Sequence, residues 1–171
     1  ENKLYLEKLY NLKIVYDVVE TKNICDLAKE FDHSNFYTSI EDAFLSNNDK
    51  YDLIFSSGTI QYFEKPYEIL NEIFSKKVKY IVFTRTNLSN DEGAYSAASF
   101  LFDHGSSEGL INYNPKKERK LVLVPNTQIK EERILNISNK HSYKLIRSFK
   151  GITGNYGKNS YTKDFIFKFK N

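Results

Sequence analysis

Residues 51–70, YDLIFSSGTIQYFEKPYEIL, contain the transition that decides the predicted fold. The mostly apolar segment 51–57 predicts a buried strand, and Pro66 predicts the first turn of a helix. Small polar residues and a glycine lie between them, at positions 56–58. In α/β proteins, small ligands bind at loops that follow the carboxyl ends of strands. We therefore take this loop as the first candidate site.

Apolar segments of strand and helix character continue on both sides of the loop. Before it, the patterns predict a helix over 2–11, a buried strand over 13–20, a helix over 22–31, a strand over 35–38 and a helix that Ser39 begins. After it, they predict a helix over 66–76, a buried strand over 79–86, a short strand over 120–124, a helix over 129–141 and strands over 143–149 and 164–170. The spacing favours right-handed crossovers, so the predicted class is α/β: a Rossmann-like, mainly parallel sheet with helices on both faces. The linker between the last two strands is too short for a crossover helix, which predicts a C-terminal antiparallel hairpin.

Length and composition limit the class of protein. The chain has 171 residues, of which 40% are hydrophobic, and this is enough for a single domain over 1–171 with a real core. Residues 87–119 are polar and rich in Gly, Ser and Asn, and we interpret them as a variable insertion on the substrate side. The balance of 25 basic and 22 acidic residues is too even to indicate nucleic-acid binding.

The chain also has no feature of a membrane or secreted protein. No apolar run approaches the roughly 18 residues that a membrane span needs. Cys25 is the single cysteine, which excludes an internal disulfide and indicates a cytoplasmic protein. Because Cys25 lies beside the apolar face of a predicted helix, we expect it to pack rather than to react.

Four short sequence motifs indicate a family. YDVVE, FYTSIEDAF, the 51–70 segment and KYIVFTRT occur in that order. With the C-terminal hairpin, they resemble class I S-adenosylmethionine-dependent methyltransferases, and most closely a bacterial family often found among surface-polysaccharide genes. The resemblance covers residues 1–86 well and 120–171 in outline. It implies methyl transfer from S-adenosylmethionine to a small-molecule acceptor, for which a sugar is one candidate.

Three residues in the first third of the chain are candidate cofactor ligands. Glu20 ends a predicted strand, where a carboxylate can accept two hydrogen bonds from a ribose diol. Its alternatives are a solvated strand-end acid or a partner for the dipole of the next helix. The resemblance implies that Ser39 and Ile40 cover the adenine, whereas the alternative is that Ser39 only caps a helix.

The remaining cofactor candidates belong to the loop after the 51–57 strand. Ser56, Ser57 and Gly58 would let a ligand approach the backbone closely. Gln61 and Tyr62 would face the methionine part of the cofactor or the acceptor. Alternatively, Tyr62 and the phenylalanine that follows it hold the loop against the core.

Two residues are candidates for catalysis. Arg85 is predicted at the carboxyl end of the KYIVF strand, where its guanidinium could bind a carboxylate or phosphate of the acceptor. The alternative is an ion pair with Asp52, Glu64 or Asp91. His104 is a candidate base for transfer to oxygen or nitrogen, and its alternative is an ordinary exposed loop histidine. With three histidines and one cysteine in the chain, we expect no metal site.

The glycine-rich turn that follows the first strand of this fold is missing. All seven glycines lie at Gly58 or later. Either the chain is an N-terminally clipped portion of a longer protein, or it lacks that unit. In the second case, the alternative function is a non-catalytic methyltransferase-like binding or scaffold subunit. Any other Rossmann-like enzyme, such as one acting on nucleotide sugars, would need a similar turn.

The first strand of this fold, which that turn follows, is also missing from the predicted elements, and this leaves a gap in the predicted sheet. The strands on either side of it must pair directly, or another segment must fill the gap, or another chain must complete the sheet. A homodimer is one form of the last alternative.

Overall fold

The computed structural model describes residues 2–28, 35–48, 50–90, 93–100, 121–151 and 159–170. The contacts divide the chain into two compact units, Glu1–Tyr51 and Asp52–Asn171, and each is described by itself. The prediction of a single domain over 1–171 stays a prediction.

The first unit combines helices with a short parallel ladder. Its described elements are α1 (Asn2–Tyr10), β1 (Asp17–Val19), α2 (Lys22–Ala28), β2 (Asn35–Tyr37) and α3 (Ile40–Ser46). Strands β1 and β2 pair in parallel. Cys25 of α2 is buried, and its Sγ donates to the carbonyl oxygens of Glu20 and Tyr37 at 3.5 and 3.4 Å. This thiol therefore packs α2 against the ends of both strands, as predicted.

The burial expected in this unit is only partly present. The segment 13–20 was predicted as a buried strand, but Val15 and Val19 are exposed. In α2, Leu27 is 70% exposed, whereas Ala28 of the same predicted stripe is buried. Val19 belongs to a ladder of two strands of three residues each among the described residues, which offers little apolar surface to cover it.

The second unit contains the larger sheet. Its described elements are β3 (Leu53–Ser57), a 3₁₀ turn (Ile60–Tyr62), α4 (Pro66–Ser75), β4 (Tyr80–Ser89), β5 (Gly93–Phe100), β6 (Leu121–Gln128), α5 (Glu131–Lys140), β7 (Tyr143–Lys150) and β8 (Ser160–Phe169). The sheet order is β3-β4-β8-β7, with β3 and β4 parallel and the other two ladders antiparallel. Strands β5 and β6 form a separate antiparallel pair. Parallel βα units followed by a C-terminal antiparallel pair confirm the predicted α/β class.

Helix α4 and the central strands share an aromatic core. Leu70 and Phe74 of α4 are fully buried, as the apolar stripe over 66–76 predicts. The Phe74 ring contacts those of Phe83, Tyr143 and Phe167, with centroids 5.9, 5.1 and 5.1 Å away and rings close to perpendicular. These edge-to-face contacts fix α4 against β4, β7 and β8. Strand β3 pairs with β4, whose Phe83 belongs to this core.

Two strands differ from their predicted form. Strand β3 was predicted to be buried, yet Leu53 and Phe55 are 49% and 56% exposed. Among the described residues β3 pairs only with β4, so it is an edge strand with one open side. Strand β6 was expected to end before Pro125. It continues to Gln128 because it pairs along its length with β5, a strand that the sequence patterns did not predict.

The predicted insertion over 87–119 begins as regular structure. Strand β4 continues to Ser89, and β5 follows at Gly93–Phe100. Residues 101–120, which include the candidate His104, lie outside the described residues. The substrate-side role of the insertion stays a prediction.

Candidate functional site

The candidate site is the loop that follows β3. Ser57 is the last residue of β3 and lies opposite Thr84 of β4. The Gly58 N–H donates to the Thr84 carbonyl oxygen at 2.8 Å, which extends the parallel ladder by one residue. Gly58 has a φ of +61°, a left-handed conformation that favours glycine. A Cβ there would meet the Arg85 side chain at 3.6 Å, so glycine keeps the space between backbone and guanidinium open.

The 3₁₀ turn after Gly58 places a polar side chain inside the protein. Gln61 is 5% exposed, and its Nε2 donates to the Gly58 carbonyl oxygen at 3.0 Å. Its Oε1 accepts no hydrogen bond from the described residues. An unpaired buried acceptor costs about 1–3 kcal/mol. The loop thus contains a buried acceptor that lacks a donor.

The aromatic residues at the end of the turn are not the ones that are buried against the core. Tyr62 and Phe63 are 43% and 38% exposed, whereas Ile60 is 3% exposed. The prediction that Tyr62 and Phe63 hold the loop against the core is therefore wrong. In the 3₁₀ geometry, Ile60 and Gln61 are the residues directed inward.

Arg85 lies at an irregularity of β4. The register with β8 shifts between Phe83 and Thr86, so that Thr84 and Arg85 together lie opposite Asp164. This arrangement is a β-bulge, which bends a strand and redirects a side chain. Arg85 has a φ of +51°, and its backbone N–H donates to Asp164 Oδ1 at 2.7 Å. The Asp164 carboxylate therefore holds the bulge in place.

The redirected Arg85 side chain reaches the end of β3. Its Nε donates to Ser57 Oγ at 3.0 Å, and Thr84 Oγ1 donates to the same oxygen at 2.8 Å. Arg85 is exposed and forms no ion pair with a carboxylate among the described residues. The alternative of an ion pair with Asp52 or Glu64 is therefore wrong, and Asp91 lies outside the described residues.

In the first unit, the Glu20 carboxylate is accessible. Glu20 follows β1 and is exposed, and its backbone N–H donates to the Tyr37 carbonyl oxygen at 2.9 Å. One carboxylate oxygen accepts from the Thr21 N–H at 3.1 Å. The remaining acceptor positions face solvent, so the ribose role stays a prediction.

Ser39 serves as a helix cap. Its Oγ accepts from the Asp42 backbone N–H at 3.0 Å and donates to Asp42 Oδ2 at 2.7 Å. The predicted capping role is thus confirmed. Ile40 is the first residue of α3 and is half-buried. The expected contact of Ser39 and Ile40 with an adenine stays a prediction.

Of the predicted site residues, the structure brings Ser57, Gly58, Gln61 and Arg85 together. Ser56 is the preceding, half-buried residue of β3. Glu20, Ser39 and Ile40 belong to the other unit, so a pocket shared by both groups stays a prediction. Asp164 was missed, because only the bulge gives it a role. The one signal in the sequence is an acidic residue within the alternating strand SYTKDFIFKF.

Two other features of the described residues bear on function. A groove of about 600 Å³ borders the far end of the β3–β4 ladder and is lined by Tyr80, Lys144, Lys168 and Lys170 among others. It contains no acidic or histidine side chain. Among the described residues there is no group of His, Cys, Asp and Glu that could hold a metal ion. No described helix is both long enough and apolar enough to cross a membrane.

Comparison with known proteins identifies the fold. No protein-family model and no curated protein matches the sequence. Among solved structures, the N-terminal domain of EvdMO1 with SAH bound matches with a TM-score of 0.51 and 8% identity, over 98% of this chain and 69% of that one. A SAM-dependent methyltransferase from Methanosarcina mazei matches with a TM-score of 0.52 and 10% identity, over 90% and 82%. At these identities the likeness shows the fold, and it confirms the predicted Rossmann-like architecture.

Proposed function

We propose that this chain is a methyltransferase domain that uses S-adenosylmethionine to methylate a small molecule. The observation that carries the proposal is the cluster of Ser57, Gly58, Gln61 and Arg85 at the carboxyl ends of the adjacent parallel strands β3 and β4. This is where α/β proteins bind ligands. The likeness in fold to a SAM-dependent methyltransferase and to an SAH-bound domain supports the same function.

The residues of the loop fit such a cofactor. Gly58 leaves open the space that a Cβ would fill, next to the end of β3. Gln61 fixes the shape of the turn beside this space, since its Nε2 donates to the Gly58 carbonyl oxygen at 3.0 Å. In the first unit, Glu20 offers free carboxylate lone pairs for ribose hydroxyls, and Ser39 and Ile40 are proposed beside the adenine.

In this proposal the chain acts by binding and alignment. When bound, S-adenosylmethionine supplies an electrophilic methyl group on a sulfonium. Ser57 and Gly58 fix the position of the loop backbone, and proximity of the reacting groups then provides most of the rate enhancement. Arginine stays protonated and an amide does not titrate, so neither Arg85 nor Gln61 can accept a proton. The base is unidentified, and His104, which lies outside the described residues, stays a candidate for it.

Titration calorimetry with S-adenosylhomocysteine tests the proposal. We expect saturable binding by the wild type and at least about tenfold weaker binding by Glu20→Ala, which loses charge-assisted hydrogen bonds. Glu132→Ala is the matched control, because Glu132 is an exposed acid in the first turn of α5. No binding at high micromolar ligand, by a protein whose circular dichroism shows it to be folded, would refute the function.

We further propose a sugar as the acceptor, from the resemblance to methyltransferases of surface-polysaccharide gene clusters. Methyl transfer from labelled cofactor to neutral sugars, sugar acids and sugar phosphates tests this step. Transfer only to acceptors that are not sugars would contradict it, while leaving the methyltransferase function intact.

A further inference from the structure

Arg85 adopts a backbone conformation that arginine does not favour. A non-glycine residue in the left-handed region is strained, and such residues cluster at functional sites. At Arg85, the strain is maintained by the bulge and by the 2.7 Å hydrogen bond to Asp164. The result of this geometry is a guanidinium that lies over the end of β3.

Most N–H donors of the Arg85 guanidinium form no hydrogen bond within the described part of the chain. Of its five N–H groups, the one on Nε donates to Ser57 Oγ. The four on the terminal nitrogens have no acceptor among the described residues, and the side chain is exposed. Ser57 Oγ accepts from Arg85 and Thr84, so its own hydroxyl hydrogen is left as a further donor beside the fork.

Among the described residues, no carboxylate forms an ion pair with the Arg85 guanidinium. Asp164 is engaged by the backbone N–H of Arg85 rather than by its guanidinium. The neighbouring Lys163 of β8 forms an ion pair with Glu131 at 2.6 Å. Ser57 thus fixes one edge of a planar cation whose other donors face solvent, and this is the geometry that binds carboxylate or phosphate in two parallel hydrogen bonds.

We propose that Arg85 and the Ser57 hydroxyl form an anion-binding site for the acceptor, which therefore carries a carboxylate or phosphate group. Asp164 is a positioning residue of this site. The inference rests on the proposed function, since it names the class of acceptor that the methyltransferase would use. A sugar acid or a sugar phosphate satisfies it, whereas a neutral sugar does not.

Titration with inorganic phosphate, followed by the backbone amide NMR signals of Ser57 and Gly58, tests the site without cofactor. We expect the phosphate Kd of Arg85→Gln to be at least about tenfold higher than that of the wild type, because the variant loses charged hydrogen bonds to phosphate. Arg85→Lys should lose most of the affinity too, because an ammonium keeps the charge but not the fork. Arg147→Gln, an exposed arginine of β7, is the matched control and should bind like the wild type.

The inference is overturned if Arg85→Gln and Arg147→Gln bind phosphate equally well. Thermal melts establish that each variant is folded, and Ser57→Ala provides an independent variant that should weaken phosphate binding severalfold.

Calorimetry with S-adenosylhomocysteine distinguishes the two groups that could bind Arg85, an anionic group of the acceptor and the carboxylate of the cofactor. If Arg85→Gln loses phosphate but keeps S-adenosylhomocysteine, the acceptor assignment is supported; if it loses both, Arg85 binds the cofactor carboxylate and the assignment is overturned. If the wild type binds phosphate through Arg85 but no S-adenosylhomocysteine, the anion site stands and the proposed function fails.

Discussion

Replacing Arg85 by glycine and, separately, by alanine tests the strained backbone at the site. Both variants remove the guanidinium and its hydrogen bond to Ser57, and they differ from each other by one methyl group. At a φ of +51°, that methyl group costs roughly 1–2 kcal/mol. The greater freedom of glycine in the unfolded chain offsets about 0.4–1 kcal/mol of this. We therefore expect Arg85→Gly to be more stable than Arg85→Ala by about 0.5–1 kcal/mol.

A matched pair of variants at an ordinary strand position should show the opposite order of stability. Lys168 is exposed in β8 and pairs regularly with Tyr80 and Lys144. There Lys168→Gly should be less stable than Lys168→Ala by about 0.5–1 kcal/mol. Urea and thermal denaturation measure all four variants, and 1 kcal/mol corresponds to about 2–4 °C in Tm for a chain of this size. If alanine is as stable as glycine at position 85, the left-handed conformation is wrong.

Three further predictions concern the loop and the core. Gly58→Ala should lower the free energy of unfolding by about 1 kcal/mol, because φ is +61° there although space is available; an unchanged urea midpoint would contradict this. Tyr143→Phe should lower it by about 1–3 kcal/mol, since the buried Val78 carbonyl loses its 2.8 Å donor, and a smaller loss would mean that another donor replaces it. Burial and neighbouring lysines lower the pKa of His141, so the folded state favours the neutral imidazole. The contribution of His141 to stability is therefore present above about pH 6.5 and is lost as the pH falls. His141→Gln should flatten the decline in stability measured by urea denaturation between about pH 7 and pH 5, and an unchanged slope would show that other groups cause it.

Elements with strong local signals were predictable from sequence. The helix over 66–76 has Pro66 at its first turn and an apolar stripe, and α4 spans Pro66–Ser75. The strands over 143–149 and 164–170 were paired correctly because the linker between them excludes a crossover helix. In each case the deciding information lies within about 20 neighbouring residues, where periodicity and chain length are sufficient.

Burial could not be predicted in the same way. The segments 13–20 and 51–57 are rich in β-branched and aromatic residues, a composition that indicates a strand covered on both faces. Val15 and Phe55 are nevertheless exposed. Apolar composition shows that a segment favours a strand, but how many neighbours cover it depends on partners elsewhere in the chain.

The candidate site was predictable in its location and not in its geometry. A strand that ends in small residues indicates a ligand loop, and Ser57 and Gly58 do lie beside Arg85. The bulge depends on the register between β4 and β8, which no local pattern contains. The roles of Asp164 and of the Arg85 backbone follow from that register alone.

The hydrogen bond between Arg85 and Asp164 joins residues that are 79 positions apart in the chain. During synthesis, the bulge that directs the guanidinium toward Ser57 therefore cannot form until β8 has left the ribosome and inserted between β4 and β7. Nascent chains arrested before that point would contain every loop residue of the site and still not bind an anion there. The proposed anion site would accordingly form only once β8 is available, and arrested chains of increasing length would acquire phosphate binding in one step.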